Sequence, residues 1–168
     1  SDDELGRLGA SFNAMVAAIE ERERQITHVA LHDGLTNLPN RKLFVEQLDQ
    51  ALARRRGDAQ LMIVYVDLDD FKVVNDTLGH PAGDALLRNV AAHLQSVLGE
   101  AIVARLGGDE FAILLGDLPA NENLAALADK LQGCFGRPIM IDGQQADASA
   151  SMGIAVAPGD GVDGTTLM

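Results

Sequence analysis

An α+β domain built on a ferredoxin-like βαββαβ sheet with helices, preceded by a long coiled-coil-like helix at the N-terminus, is predicted by three features of the sequence. A short apolar run at residues 61–66 ends in a cluster of acids, two further apolar runs flank Gly107-Gly108, and an apolar seam steps through residues 5–29 by threes and fours. The chain has 168 residues, of which 47% are apolar, and its mean hydropathy is near zero. One soluble globular core is expected. Its 13 Lys and Arg against 25 Asp and Glu give a net charge of −12. That charge argues against nucleic acid or an anionic membrane as partner, because bare polyanions reward clustered cations. A phosphate ligand would need a cation's help. The run at 61–66 is far shorter than the roughly 20 residues that span a bilayer, and no leader-like segment is visible, so neither a membrane span nor secretion is expected. The single cysteine, Cys134, cannot form an internal disulfide, which suits a reducing compartment, and His28, His32, His80 and His93 lack zinc-type spacing with it.

The elements follow in order. Leu5, Leu8, Phe12, Met15, Ile19, Ile26 and Val29 form a heptad seam broken at Arg22, beside the charged run from Glu20 to Arg24. This pattern predicts a parallel coiled coil, with an amphipathic helix lying on its own domain as the alternative. Residues 33–40 contain Gly, Pro and two Asn, which predicts an ordered loop that starts a helix near Arg41 and carries Leu43, Phe44, Leu48 and Leu52 inward as far as Gly57. The run from Leu61 to Asp67 is nearly all apolar and β-branched, the pattern of a strand buried on both faces. A short helix over about 70–78 follows, then a break at 79–83, then a helix opened by Asp84 with Leu86, Leu87, Val90, Leu94 and Val97 inward. Residues 102–106 and 111–115 form a hairpin around the Gly-Gly turn. Asn121 or Asn123 caps a helix through Leu131, and two strands follow, near Ile139 and from about Ala148 to Val156. The helices are expected on one face of the sheet. No repeat interval occurs.

Asp67 and Asp69 lie two apart on an extended segment and project to one side, and the hairpin supplies Asp109 and Glu110. If the strands are neighbours, these carboxylates meet at one sheet edge, where hard oxygen ligands suit Mg²⁺ or Mn²⁺. The Leu68 carbonyl could add a ligand; solvated loop acids are the plain alternative. Gly107 and Gly108 lack Cβ atoms, so their N–H groups can approach an anion, with Lys72 one helical turn from the acids. An ordinary hairpin turn explains the same glycines.

Taken together, Arg105-Leu106-Gly107-Gly108-Asp109-Glu110-Phe111 resembles the signature of the GGDEF family, the diguanylate cyclases, which carry a palm-type cyclase sheet. Asp33-Gly34-Leu35-Thr36-Asn37-Leu38-Pro39-Asn40-Arg41 resembles the family's D-x-L-T-x-L-x-N-R motif. The segment from Asp67-Leu68-Asp69-Asp70-Phe71-Lys72 through Asn75-Asp76, Gly79-His80 and Gly83-Asp84 resembles its D-x-D-x-F-K-x-x-N-D…G-H…G-D pattern, and Ser151-Met152-Gly153-Ile154-Ala155 its S-x-G-I-A strand.

The resemblance implies a division of roles. Asp67, the Leu68 carbonyl and Asp109 would hold Mg²⁺ or Mn²⁺, with Glu110 beside them for the metal or for the proton. Asn75 and Asp84 would read guanine, and an aspartate accepting from N1–H and the exocyclic amine makes chemical sense of that. Phe71 and Lys72 would flank the triphosphate of GTP, with Gly107 and Gly108 against it; Asp109, Glu110 and Lys72 are thus the expected catalytic set. Asp33 and Arg41 are expected as a structural ion pair or loop fastening, and His80 as a packing or capping residue. The implied reaction condenses two GTP into cyclic di-GMP, and since one site holds one GTP, a homodimer through the N-terminal helix is implied. The residues from Asp3 to Met15 also look like the closing end of a HAMP relay, which implies residues 1–30 as connector, 31–168 as GGDEF domain, and a cytoplasmic place in a membrane-linked sensor at the inner membrane.

Two departures from the family stand out. The positions of its Arg-x-x-Asp inhibitory site hold Leu98-Gly99-Glu100-Ala101, so no inhibitory site is expected. Relatives continue beyond the position of Met168 into a last helix and strand with further basic residues, and weak GTP binding or slow turnover is expected without them. The competing functions are a GTP-binding regulatory module for a linked domain such as a cyclic di-GMP phosphodiesterase, and another palm-type nucleotidyl transferase. A P-loop enzyme is disfavoured, because no G-x-x-x-x-G-K-[ST] occurs.

Overall fold

The computed structural model describes residues 2–141 and 143–168. Helix α1 (Asp2–Leu31) leaves its apolar seam open: Leu5, Leu8, Phe12, Met15 and Ile19 are all more than half exposed. Its last turn is nonetheless fastened. The Asn40 carboxamide donates to the Ala30 carbonyl at 2.8 Å, the Asn40 N–H donates to the Leu31 carbonyl at 2.9 Å, and a His28 ring nitrogen lies 2.7 Å from Asn37 Oδ1. Asn40 also caps α2 (Arg41–Arg54), accepting from the Leu43 N–H at 3.1 Å.

The domain continues through β1 (Gln60–Leu68), α3 (Phe71–Leu78), α4 (His80–Leu98), β2 (Ile102–Gly107), β3 (Glu110–Leu118) and α5 (Leu124–Gln132). After these come β4 (Pro138–Ile141), β5 (Gln144–Asp147), β6 (Ala150–Ala157) and α6 (Gly164–Leu167). The main sheet runs β2-β3-β1-β6, every neighbouring pair antiparallel, which is the strand order expected of a ferredoxin-like βαββαβ domain. Its central strand β1 is buried on both faces, as its unbroken apolar run requires. Met62, Val64, Val66 and Leu68 face one core with Leu86, Val90 and Leu94 of α4 and Leu131 of α5. Leu61 and Ile63 face a second core with Phe44 and Leu48 of α2 and Leu167 of α6. Burying a side chain of this size contributes about 1.5–3 kcal/mol.

Helices therefore cover both faces of the sheet, not one. The expectation of a single helical layer fails because α2, which precedes the βαββαβ unit in the chain, packs on the opposite face and supplies the second layer. The helix assigned to Asp84 begins at His80 instead: Gly79, with φ 92°, turns the chain directly from α3 into α4, and Pro81 sits in the first turn, where its missing N–H costs nothing. Asn123, not Asn121, caps α5, accepting from the Ala126 N–H at 3.0 Å. The small added strand is half of a separate two-stranded hairpin, β4-β5, whose second strand is too polar to announce itself.

Candidate active site

The acids gather where the two central strands end. Asp67 on β1 pairs directly with Glu110 on β3, and the Leu68 N–H donates to the Asp109 carbonyl at 3.2 Å. The cluster thus lies at one end of the sheet's middle, away from its lateral edges. Loss of solvation, then the charge and hydrogen bond of Asp109, then the charges of Glu110 and Asp69, hold the Asp67 carboxyl above its ordinary range. Asp69 is otherwise engaged: it accepts from Ser151 Oγ at 2.7 Å, and its N–H donates to the Ser149 carbonyl at 2.9 Å.

Among the described residues no three His, Cys, Asp or Glu side chains converge into a ready metal cage. The proposed donors fit a divalent cation all the same. Two carboxylates that share a hydrogen bond and repel each other gain from an added cation, and Mg²⁺ ordinarily takes one or two carboxylates and completes its shell with water and substrate phosphate.

The turn beside the acids needs both glycines. Gly107 has φ 140° and Gly108 φ 52°, conformations that side chains resist, and the space where their Cβ atoms would stand is open. Arg105 ties this turn to the loop at residues 33–40. The Arg105 guanidinium donates to the Gly108 carbonyl through Nε at 3.0 Å and Nη2 at 2.7 Å, and through Nη1 to both Asp33 oxygens at 2.9 and 3.1 Å. Burial alone raises the Asp33 carboxyl, but the Thr36 hydroxyl and N–H, together with Arg105, outweigh it and hold the group below its usual range.

Helix α3 starts abruptly. Asp70 precedes it in the left-handed conformation, φ 56°, and no side chain caps the helix, so its first N–H groups are open at Phe71 and Lys72. Further along, the Asn75 carboxamide lies over Gly83 so closely that a Cβ on Gly83 would overlap Asn75 Oδ1. Asp84 is the next residue, exposed on α4. Asn75 therefore lies over the residue that precedes Asp84, whereas neither Asn75 nor Asp84 lines the cavity of about 440 Å³ bounded by Arg41, Tyr65, Asp67, Glu110, Ser151 and Met168. His80 lies outside that cavity too, exposed at the start of α4.

Two arginines carry more than the sequence assigned to them. Asp33 is a loop fastening as expected, but its partner is Arg105 and not Arg41. Arg41 reaches Glu110, Nη2 to Oε2 at 3.8 Å. Both sit inside the motifs quoted above, yet Asp33 and Arg105 are 72 positions apart and reveal no pairing until the strands are in register.

The family description "Diguanylate cyclase, GGDEF domain" matches residues 30–168. The chain belongs to the GGDEF family. It is 39% identical over 165 residues to diguanylate cyclase TpbB of Pseudomonas aeruginosa, covering 92% of this chain and 38% of that protein. To the bifunctional diguanylate cyclase/cyclic di-GMP phosphodiesterase MucR of the same organism it is 40% identical over 164 residues, covering 96% of this chain and 24% of MucR. The chain thus spans well under half the length of these curated relatives. The crystal structure of the coiled coil and GGDEF domain of DgcB from Caulobacter crescentus, in complex with c-di-GMP, superposes with a TM-score of 0.80 at 33% identity, covering 97% of this chain and 87% of that one. In this GGDEF domain Leu98 and Ala101 pack against the core, and the segment between α4 and β2 offers no arginine–aspartate pair.

Proposed function

We propose that this GGDEF domain condenses two GTP into cyclic di-GMP with release of pyrophosphate, acting as a homodimer. The observation that carries the reading is the direct pairing of Asp67 with Glu110, which sets the acids against a turn whose two glycines leave room for a phosphate. Asp67, the Leu68 carbonyl and Asp109 would hold a divalent cation, Mg²⁺ or Mn²⁺, which when bound neutralises charge on the reacting phosphate and the departing pyrophosphate. Glu110 accepts the proton of the attacking 3′-hydroxyl. Lys72 and the open first turn of α3, with Phe71, receive the triphosphate, as helix N-termini favour anions. Asn75 and Asp84 select guanine: Asp84 accepts from N1–H and the exocyclic amine, a donor pair that adenine lacks.

Each protomer supplies one GTP, so two domains must face each other, and the open seam of α1 supports pairing through that helix. Residues 1–30 serve as connector and 31–168 as the GGDEF unit, on the cytoplasmic side of a membrane-linked sensor; the HAMP-like residues 3–15 support that placement. Among the described residues no helix is long and apolar enough to cross a membrane. MucR's name joins cyclase to phosphodiesterase, and this favours one second reading, a GTP-binding module that regulates a linked phosphodiesterase.

The test compares GTP turnover by the protein and by its Asp109→Asn variant in Mg²⁺. Loss of about 100-fold or more in kcat with the fold intact is expected. Full activity in Asp109→Asn would overturn the metal assignment, and GTP binding without turnover in the parent protein would favour the regulatory reading.

A further inference from the structure

Arg41 occupies a fixed position. It is the first residue of α2, directly after Asn40, whose side chain and N–H are tied to the end of α1 and whose carbonyl starts the helix. The preceding Pro39 carbonyl accepts from the Arg105 N–H at 3.0 Å, which joins the same stretch to β2. The backbone that carries Arg41 is therefore anchored from two sides. From there its guanidinium crosses to Glu110, on the wall of the 440 Å³ cavity shared with Tyr65 and Asp67. Among the described residues it is the only Lys or Arg within ion-pair reach of Asp67, Asp69, Asp109 or Glu110.

We infer that Arg41 is a positioning residue for Glu110, drawing its carboxylate toward the α2 side of the sheet and so partly neutralising the acid cluster before cation and substrate arrive. The consequence separates two quantities that ordinarily move together. Removing the guanidinium leaves the cluster more negative, so a divalent cation binds the nucleotide-free protein more tightly. It also leaves Glu110 without its guide, so turnover falls. Both side chains are more than half exposed, hence the effect on cation binding is modest. Only the catalytic arm of this inference rests on the cyclase reading.

The experiment titrates Mn²⁺, followed by its electron paramagnetic resonance signal, into the nucleotide-free protein and its Arg41→Gln and Arg41→Lys variants, with circular dichroism to verify the fold. Arg41→Gln is expected to tighten Mn²⁺ by about threefold while Arg41→Lys stays near the parent protein. With GTP and Mg²⁺, Arg41→Gln is expected to lower kcat by about tenfold with KM within about twofold, and lysine to restore part of the loss. In the Glu110→Gln background the Mn²⁺ effect of Arg41→Gln should shrink, which locates it at this pair. Unchanged or weaker Mn²⁺ binding in Arg41→Gln overturns the placement whatever the turnover. Tighter Mn²⁺ binding beside an inactive parent protein sustains the placement and removes the cyclase reading instead.

Discussion

Asp33 is linked through Arg105 to the turn that Asp67 adjoins through Glu110, yet their surroundings drive the two carboxyls in opposite directions. Asp33, largely covered, ends below its ordinary value of 3.8, because Thr36 and Arg105 outweigh burial. A depressed carboxyl contributes stability above its unfolded pKa and loses it as pH falls through the folded one. Asp33→Asn should therefore cost about 2 kcal/mol in urea unfolding at pH 7, and the difference from the parent protein should shrink as pH falls from 3.8 through the depressed folded value. Asp67 is raised, so its contribution has the other sign: stability of the cation-free protein declines as pH climbs from 3.8 through the raised value. Thermal unfolding at pH 7 should show Asp67→Asn melting higher than the parent without Mg²⁺, and failing to gain further when Mg²⁺ is added. A parent protein that Mg²⁺ does not stabilise would contradict the proposed cation site.

Between elements, the turn from α3 to α4 decides whether Asn75 and Asp84 can act as a pair. Gly83 leaves the space that the Asn75 carboxamide fills, so Gly83→Ala must push Asn75 aside. The expected result in initial-rate kinetics is a GTP KM raised about tenfold with a smaller change in kcat. Leu98 to Ala101, from the last residue of α4 to the residue before β2, stand where the family's Arg-x-x-Asp is expected, and calorimetry should find no tight cyclic di-GMP binding there. Much of this arrangement was legible in the sequence. The apolar run of β1, the glycines of the hairpin and the loop that starts a helix near Arg41 each announce their structure through local chemistry, and the motifs mark the acids that meet once β1 and β3 are neighbours. What escaped depended on distant parts. The second helical layer, the Asp33–Arg105 pair and the reach of Arg41 to Glu110 arise only when α2 and β2 are folded against the loop at residues 33–40. The short α6 and polar β5 carry too few apolar residues to be seen alone.

At the scale of the whole molecule, an acidic protein is proposed to hold a still more acidic ligand and to use it as a pair of copies. Much of the charge of −12 is spread over exposed surface, whereas Asp67, Asp109 and Glu110 are concentrated at the strand ends. The open seam of α1 is where a second copy would pair, so Leu8→Lys combined with Met15→Lys should give monomers by sedimentation and lower the specific rate at least about tenfold. The most direct measurement is chromatographic analysis of the products formed from GTP and Mg²⁺ across a dilution series of the protein. Cyclic di-GMP and pyrophosphate should appear, with a specific rate that rises with protein concentration until the dimer is complete. A folded, dimeric sample that binds GTP and yields no cyclic di-GMP would contradict the cyclase assignment.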